Sequence, residues 1–274
     1  MYNGPEMDPV FSRRRLLQMA ILTAFASRVP PGHAAERTVK THAYEANVGV
    51  LFNLLTYSIT GTVTADIDQA KERYRVEMNG SGPGATARTE STGIIRGGRF
   101  MPVETQSSHT VRGRDNRVTV TYDYARRVAD YHVRAYTFLM GRRWFVDDVV
   151  RLPDGQHIDD LISATLNFAA QKLDVDSDGS FRVTVVRRAR PQNEGTDDVS
   201  PGGYRAELAT ARFRVSPDAA TGRLTALIDL TGFSSWARPA RPARVVFGDD
   251  RYLESVSTSL ILGTTFNLQL QPTS

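Results

Sequence analysis

The sequence predicts a mainly β protein: one large antiparallel sheet, curled into a half-barrel or barrel, with one amphipathic helix (about residues 156–173) packed on it. Three observations carry this. Apolar and polar residues alternate with period two through much of the chain after residue 44, the pattern of a half-buried strand. One segment alone switches to helical spacing. No internal repeat of fixed period divides the chain.

The elements follow in order. Tyr44, Ala46, Val48 and Val50, then Leu54 to Val63, read as two extended segments, with Gly49 as a candidate bulge. Arg73-Tyr74-Arg75-Val76-Glu77-Met78 alternates strictly, and Asn79 to Gly84 is turn chemistry. Thr92–Ile95, Phe100–Thr105, Arg117–Tyr124 and Val128–Val133 follow as strands. In Val118 to Tyr122, β-branched residues alternate with polar ones, which suits a pleated face. Ile158, Leu161, Ile162, Leu166, Phe168, Ala169 and Leu173 then fit one helical stripe. Asp154 can cap that helix, with Asp159 and Asp160 near its positive end. Phe181–Val186, Tyr204–Val215, Leu224–Leu230, Val245–Phe247 and Ser255–Leu270 complete the strands. The polar loop Pro191–Gly203 is the best candidate boundary, but strands continue on both sides, so residues 35–274 read as a single β-rich domain.

Composition narrows the function. The chain has 274 residues, 41% of them apolar, enough for a real core. It has no Cys, which excludes disulfides, thiol catalysis and thiolate metal sites. Of the 34 basic residues all but Lys40, Lys71 and Lys172 are Arg, and the net charge is +4.

The N-terminus reads as an export signal. Ser12-Arg13-Arg14-Arg15-Leu16-Leu17 precedes an apolar run ending near Ser27, then Pro30, Pro31 and Gly32-His33-Ala34-Ala35. That is a basic region, a short apolar region and a small-residue cleavage site. The run is shorter than the roughly 20 apolar residues of a membrane span. Gly32 and Ala34 suit the −3 and −1 positions, placing cleavage after Ala34. The Arg-Arg-x-Leu-Leu string, with Arg28 before the cleavage site, fits the twin-arginine route better than the general secretory one. Cleavage removes four basic and two acidic side chains and leaves a net charge of +2. No later segment approaches 18 consecutive apolar residues. The expected location is the periplasm, with no transmembrane span in the mature chain.

The mature chain lacks a G-x-S-x-G elbow, an H-E-x-x-H helix, a P-loop and a dinucleotide fingerprint. His42, His109, His132 and His157 stand too far apart in sequence to make a local metal pair. Asp174, Asp176 and Asp178 before Gly179 match the start of a calcium loop. Val185, however, occupies the twelfth position, where a bidentate Glu is needed, and a polar helix-to-strand turn is the preferred reading. No other cofactor is implied. In Arg238-Pro239-Ala240-Arg241-Pro242-Ala243-Arg244, polyproline II geometry would put Arg238, Arg241 and Arg244 on one face beside Trp236. That makes a basic ledge for an anionic partner, weighed against a rigid approach to an edge strand. The doublets Arg126-Arg127, Arg142-Arg143 and Arg187-Arg188 are interspersed with carboxylates, which argues against nucleic acid. Tyr131, Tyr136, Phe138, Trp144 and Phe145 form an aromatic strip that is either core or the wall of an apolar cavity in a curled sheet.

Several landmarks, in order, resemble a bacterial exported family known as domain of unknown function 3108. They are Tyr44 to Val50 with its Val-Gly step, Tyr74-Arg75-Val76, Ser91-Thr92-Gly93, Met101-Pro102-Val103-Glu104 and Tyr122-Asp123. Leu152-Pro153, Asp159-Asp160-Leu161-Ile162-Ser163-Ala164, Phe181-Arg182-Val183, the arginines Arg187, Arg188 and Arg190, and Arg241-Pro242-Ala243 continue the series. Ile162 stands where the family has Leu, and the span runs from about Tyr44 to Leu270. The resemblance implies a periplasmic or envelope β protein and transfers no catalytic residue.

The expected function is therefore that of a non-catalytic envelope protein binding an apolar or amphipathic ligand or a partner protein. The candidate ligand-binding residues are Trp236, Arg238, Arg241, Arg244, Tyr136, Phe138 and Trp144. Two alternatives stay open. One is an envelope hydrolase with a dispersed site using Asp159, Asp160 or His157. The other is a structural or assembly factor of the envelope.

Overall fold

The computed structural model describes residues 37–50, 52, 55–111, 113–137, 141–189, 205–233, 237, 238, 240–260 and 263–271. The chain divides into Met1–Glu36 and Arg37–Ser274, and the described residues all belong to the second unit. The signal segment and Ala34 lie outside them.

Long alternating segments form long strands. β1 (Arg37–Val50), β2 (Leu55–Asp68), β3 (Arg73–Gly82), β4 (Ala85–Arg96), β5 (Arg99–Val111), β6 (Arg114–Asp123), β7 (Val128–Tyr136) and β8 (Arg143–Arg151) run as one antiparallel meander. A strap and the helix α1 (Leu161–Ala169) follow. The second meander comprises β9 (Asp174–Val175), β10 (Phe181–Arg188), β11 (Ala206–Pro217), β12 (Leu224–Ile228), β13 (Ala243–Phe247), β14 (Leu253–Ser259) and β15 (Thr265–Leu270). β15 pairs with β1, with Tyr44 opposite Leu270. Among the described residues, all 15 strands thus lie in one sheet ordered β8 to β1, then β15 to β9.

A sheet this wide curls, because each strand pair adds twist. Here the sheet stays open: its end strands do not pair, and residues 152–160 lie across the seam. The Ala206 N–H donates to Asp148 Oδ2 at 2.8 Å, and the Asp159 N–H donates to the Thr184 carbonyl at 2.8 Å. The expectation of one curled antiparallel sheet with a single helix is met. Among the described residues, no helix is long and apolar enough to cross a membrane.

Local readings need correction. The helix is shorter than 156–173 because Asp160 caps it. The Asp160 backbone is extended (φ −104°, ψ 179°), and its side chain and that of Ser163 satisfy each other's backbone N–H groups. Asp154 therefore does not cap, and Asp159 precedes the helix. Gly49 is no bulge, since β1 pairs regularly through it. The register shifts instead at Thr92/Gly93 and at Val246/Phe247. β3 runs on through Gly82, so less of Asn79–Gly84 is turn than its composition suggests. Residues Ser255–Leu270 split into a hairpin, and β8 and β9 were not expected.

The inward-facing rows pack into three clusters. Val120, Tyr131, Val133 and Val146 fill the β6–β8 flank with Ile158 and Val186. Phe168 of α1 is 2% exposed and packs among aromatics of β10, β11 and β13. Its ring lies 5.2 Å from Phe181 and 4.2 Å from Phe247, centroid to centroid. Leu166, on another side of the helix, meets Tyr74, Val76, Ile95 and Phe100.

Candidate functional site

The helix does not fill the whole interior. Between α1, the inward rows of β1–β3 and strands β14–β15 lies a hollow of about 870 Å³, within the size range of small-molecule sites. Its walls are mainly apolar: Val63, Ile67, Met78, Ile162, Leu166 and Leu268 represent its sides. Register explains why they meet. Ala65 pairs with Val76 and Val63 with Met78, so alternate residues of neighbouring strands share one face. Polar groups gather at the rim, where Lys40, His42, Arg223, Asp250 and Glu254 also line the opening. Arg223 is ion-paired with Glu254, and the Lys40 ammonium stands 5.4 Å from the centroid of the Tyr252 ring. Leu161, 80% exposed at the start of α1, lies at the same opening.

Tyr44 is the next residue of the same β1 row beyond His42. It pairs with Gly61, which pairs with Gly80, so the Tyr44 ring reaches across two glycines. A Cβ on Gly80 would come within 2.1 Å of the Tyr44 hydroxyl. Glycine is required there by close approach rather than by backbone angle. Tyr44 is 2% exposed, and its hydroxyl has no hydrogen-bond partner among the described residues. Burial raises its pKa.

A second feature is the buried polar cluster at the start of α1. Asp160 and Asp159 are 6% and 1% exposed. Asp160 accepts the Ser163 N–H at 2.6 Å and the hydroxyls of Ser91 and Thr105 at 2.5 Å each. The Tyr74 hydroxyl is 3.1 Å from Ser91 Oγ. Asp159 accepts from Arg99 Nη2 at 2.7 Å and from Asn167 Nδ2 at 2.8 Å. Asn167 also pairs with both backbone groups of Phe100. Burial pushes the Asp159 carboxyl up to about 6, outweighing the opposing pull of Arg99. Burial likewise drives the Tyr74, Tyr122 and Tyr124 hydroxyls well above their ordinary pKa. A Cβ on Gly93 would strike the Met101 carbonyl at 2.1 Å and the Tyr74 ring at 2.5 Å. The landmark residues Tyr74, Ser91, Gly93 and Asp160 therefore meet in space. Both carboxylates are enclosed and taken up by protein donors, an arrangement that clamps α1 to β4 and β5.

The residues expected to bind ligand are scattered. Trp236 and Phe138 lie outside the described residues. Tyr136 is 36% exposed at the end of β7. Trp144 packs on the β6–β8 cluster with the Arg188 guanidinium 5.3 Å from its ring centroid. Neither lines the hollow. The inward half of the aromatic strip is packed core, and Phe145 faces outward, 69% exposed. The arginine ledge does not form on a polyproline face. The Arg241 N–H donates to the Arg238 carbonyl at 3.0 Å, which closes a tight turn, whereas polyproline II has no internal hydrogen bonds. Arg244 is held by Asp218 at 2.8 Å.

The aspartates of the turn face arginines instead of converging on a cation. Asp174 lies 3.6 Å from Arg99 and accepts from His157 Nδ1 at 2.7 Å. Asp176 pairs with Arg182 at 3.1 Å and Arg212 at 2.8 Å, and Asp178 with Arg214 at 2.7 Å. Among the described residues no group of three or more His, Cys, Asp or Glu is arranged to hold a metal ion.

The hollow went unseen in the sequence because its walls come from both meanders and the helix. The available signal was Val63, Ala65 and Ile67 alternating in phase with Val76 and Met78.

A family model described as "Protein of unknown function (DUF3108)" matches residues 44–218. The chain belongs to this family. The match ends near the end of β11, short of the Leu270 limit expected and before Arg241-Pro242-Ala243. No curated protein matches the chain. Among solved structures, it is similar to a β-barrel-like protein of domain of unknown function DUF1849 from Brucella abortus. That similarity has 9% identity and a TM-score of 0.40, covering 87% of this chain and 98% of that one. A porin-like protein from Bacteroides uniformis aligns at 9% identity and TM-score 0.20, covering 84% and 95%.

Proposed function

We propose that this protein is an exported, non-catalytic binding protein that holds an apolar or amphipathic ligand in the hollow beside α1. The hollow itself carries the reading. It is sizeable, mainly apolar and rimmed by charge, as small-molecule sites are. The buried polar cluster supports it from the other side. Its carboxylates hold the helix that forms one wall of the hollow and have no open face toward a substrate. The N-terminal arginine pair, the apolar run and the Gly32-His33-Ala34 site support export to the periplasm.

Two experiments test the reading. Native mass spectrometry of protein isolated from the periplasm should show a lipid-sized adduct that disappears when Met78→Trp narrows the hollow. A bare mass in both proteins, with no uptake of an apolar dye, would reject ligand binding. Sequencing the N-terminus of the secreted form should begin at Ala35, and retention of the whole chain in the cytoplasm would reject export.

A further inference from the structure

We propose that the hollow takes a long-chain fatty carboxylate, with its carboxylate at Lys40 and its chain running inward past His42 toward Tyr44. This rests on the binding reading above and names its ligand class. The inward row of β1 grades from wet to dry: Lys40 is exposed, His42 half-buried and Tyr44 buried. Lys40 and His42 line the hollow directly. Tyr44 stands beyond them, paired with Leu270, itself a lining residue. A molecule that follows this row meets a cation first and hydrocarbon afterwards, the sequence presented by a single-chain amphiphile.

The rim charges select the head. Arg223 is neutralised by Glu254. Asp250 accepts the Tyr252 N–H at 3.0 Å. Lys40 rests over the Tyr252 ring, and among the described residues no carboxylate lies within ion-pair distance of it. One uncompensated ammonium suits one negative charge, with the half-buried imidazole of His42 next along the row as a further polar partner. Among the described lining residues no free guanidinium fork is offered for a phosphate, and Asp250 at the same opening opposes a second negative charge. The chemistry favours a compact monovalent carboxylate over a phosphate head.

The test uses delipidated full-chain protein near neutral pH. Displacement of the uncharged dye Nile red is measured with palmitate, 1-hexadecanol and hexadecyl phosphate. Palmitate should bind about fivefold more tightly than hexadecanol, the scale of one partly screened charge pair. Lys40→Gln should remove that preference by weakening palmitate alone, with an unchanged unfolding midpoint as the folding control. Equal affinities for palmitate and hexadecanol, or an equal loss of both in Lys40→Gln, would overturn the assignment of the head to Lys40. Tighter binding of hexadecyl phosphate than of palmitate would overturn the carboxylate class. Dye uptake without displacement by palmitate rejects the fatty carboxylate and leaves the hollow as a binding site. Failure of the dye to enter the wild-type protein rejects both.

Discussion

The two flanks of the rolled sheet face the same helix and end differently. On the β10–β13 side the space beside α1 is closed by Phe168, Phe181, Phe213 and Phe247. On the β1–β3 side, Val63 and Met78, with Leu268 of β15, line the hollow. Both sides are apolar, so hydrophobicity does not separate them. Ring size and interdigitation do, because a core of close-packed rings leaves no room for a guest, while aliphatic side chains lining a void already lack some contacts. The bonds of Asp159 and Asp160 to Arg99, Ser91 and Thr105 hold α1 to β4 and β5, so its position does not depend on packing at the hollow.

This contrast can be broken at its strongest point first. Asp160→Ala removes the cap and leaves the Ser91 and Thr105 hydroxyls buried without their acceptor. Loss of about 3–5 kcal/mol is expected in urea unfolding, together with loss of dye uptake as the wall of the hollow moves. Phe168→Ala should cost a similar 3–5 kcal/mol, whereas Met78→Ala on the hollow side should cost less than about 1 kcal/mol, because its side chain already borders empty space. Equal costs would show that the hollow is closed in solution.

The Asp159 carboxyl is raised to about 6 in the folded chain, above the roughly 3.9 of an unfolded Asp. The folded state therefore binds this proton more tightly. Its contribution to stability is fully present below the unfolded value and is lost as pH rises through 6. Unfolding free energy should fall from pH 4 to pH 6.5 by about 2 kcal/mol, a slope absent in Asp159→Asn. A slope retained in that variant would place the titration elsewhere. The smallest effect belongs to Arg241→Ala, in an exposed turn, with less than about 0.5 kcal/mol and unchanged dye binding. A loss of binding there would restore the arginine ledge as a ligand site.

Legibility followed the range of the interactions. Strands such as Arg73–Gly82 and Arg114–Asp123 were visible because alternation is local. β8 was missed because Arg142-Arg143 and Asp147-Asp148 mask the inward Trp144, Val146 and Val150. The helical stripe is longer than the helix, Leu161–Ala169. It includes Ile158, which packs with the β6–β8 cluster from the strap before the helix, and only the Asp160–Ser163 cap shows where helical geometry begins. Arg238, Arg241 and Arg244 looked alike as a string, but the turn at Arg238–Arg241 and the pairing of Arg244 with Asp218 give them different neighbours. The aspartates at 174, 176 and 178 match the start of a calcium loop in sequence, where their partners Arg99, Arg182, Arg212 and Arg214, on other strands, do not show.

By itself, the sequence determined that the chain is mainly β, places a helix near residues 158–173, has no Cys and resembles the domain of unknown function 3108 family. Periodicity, composition and ordered landmarks are properties of neighbouring residues, and those can be read along a line. The tertiary structure alone decided which apolar rows meet a ring and which meet a void, and which charges are neutralised. Those outcomes depend on register between strands more than a hundred residues apart, as where β1 meets β15, and on a helix whose position is set by two buried carboxylates.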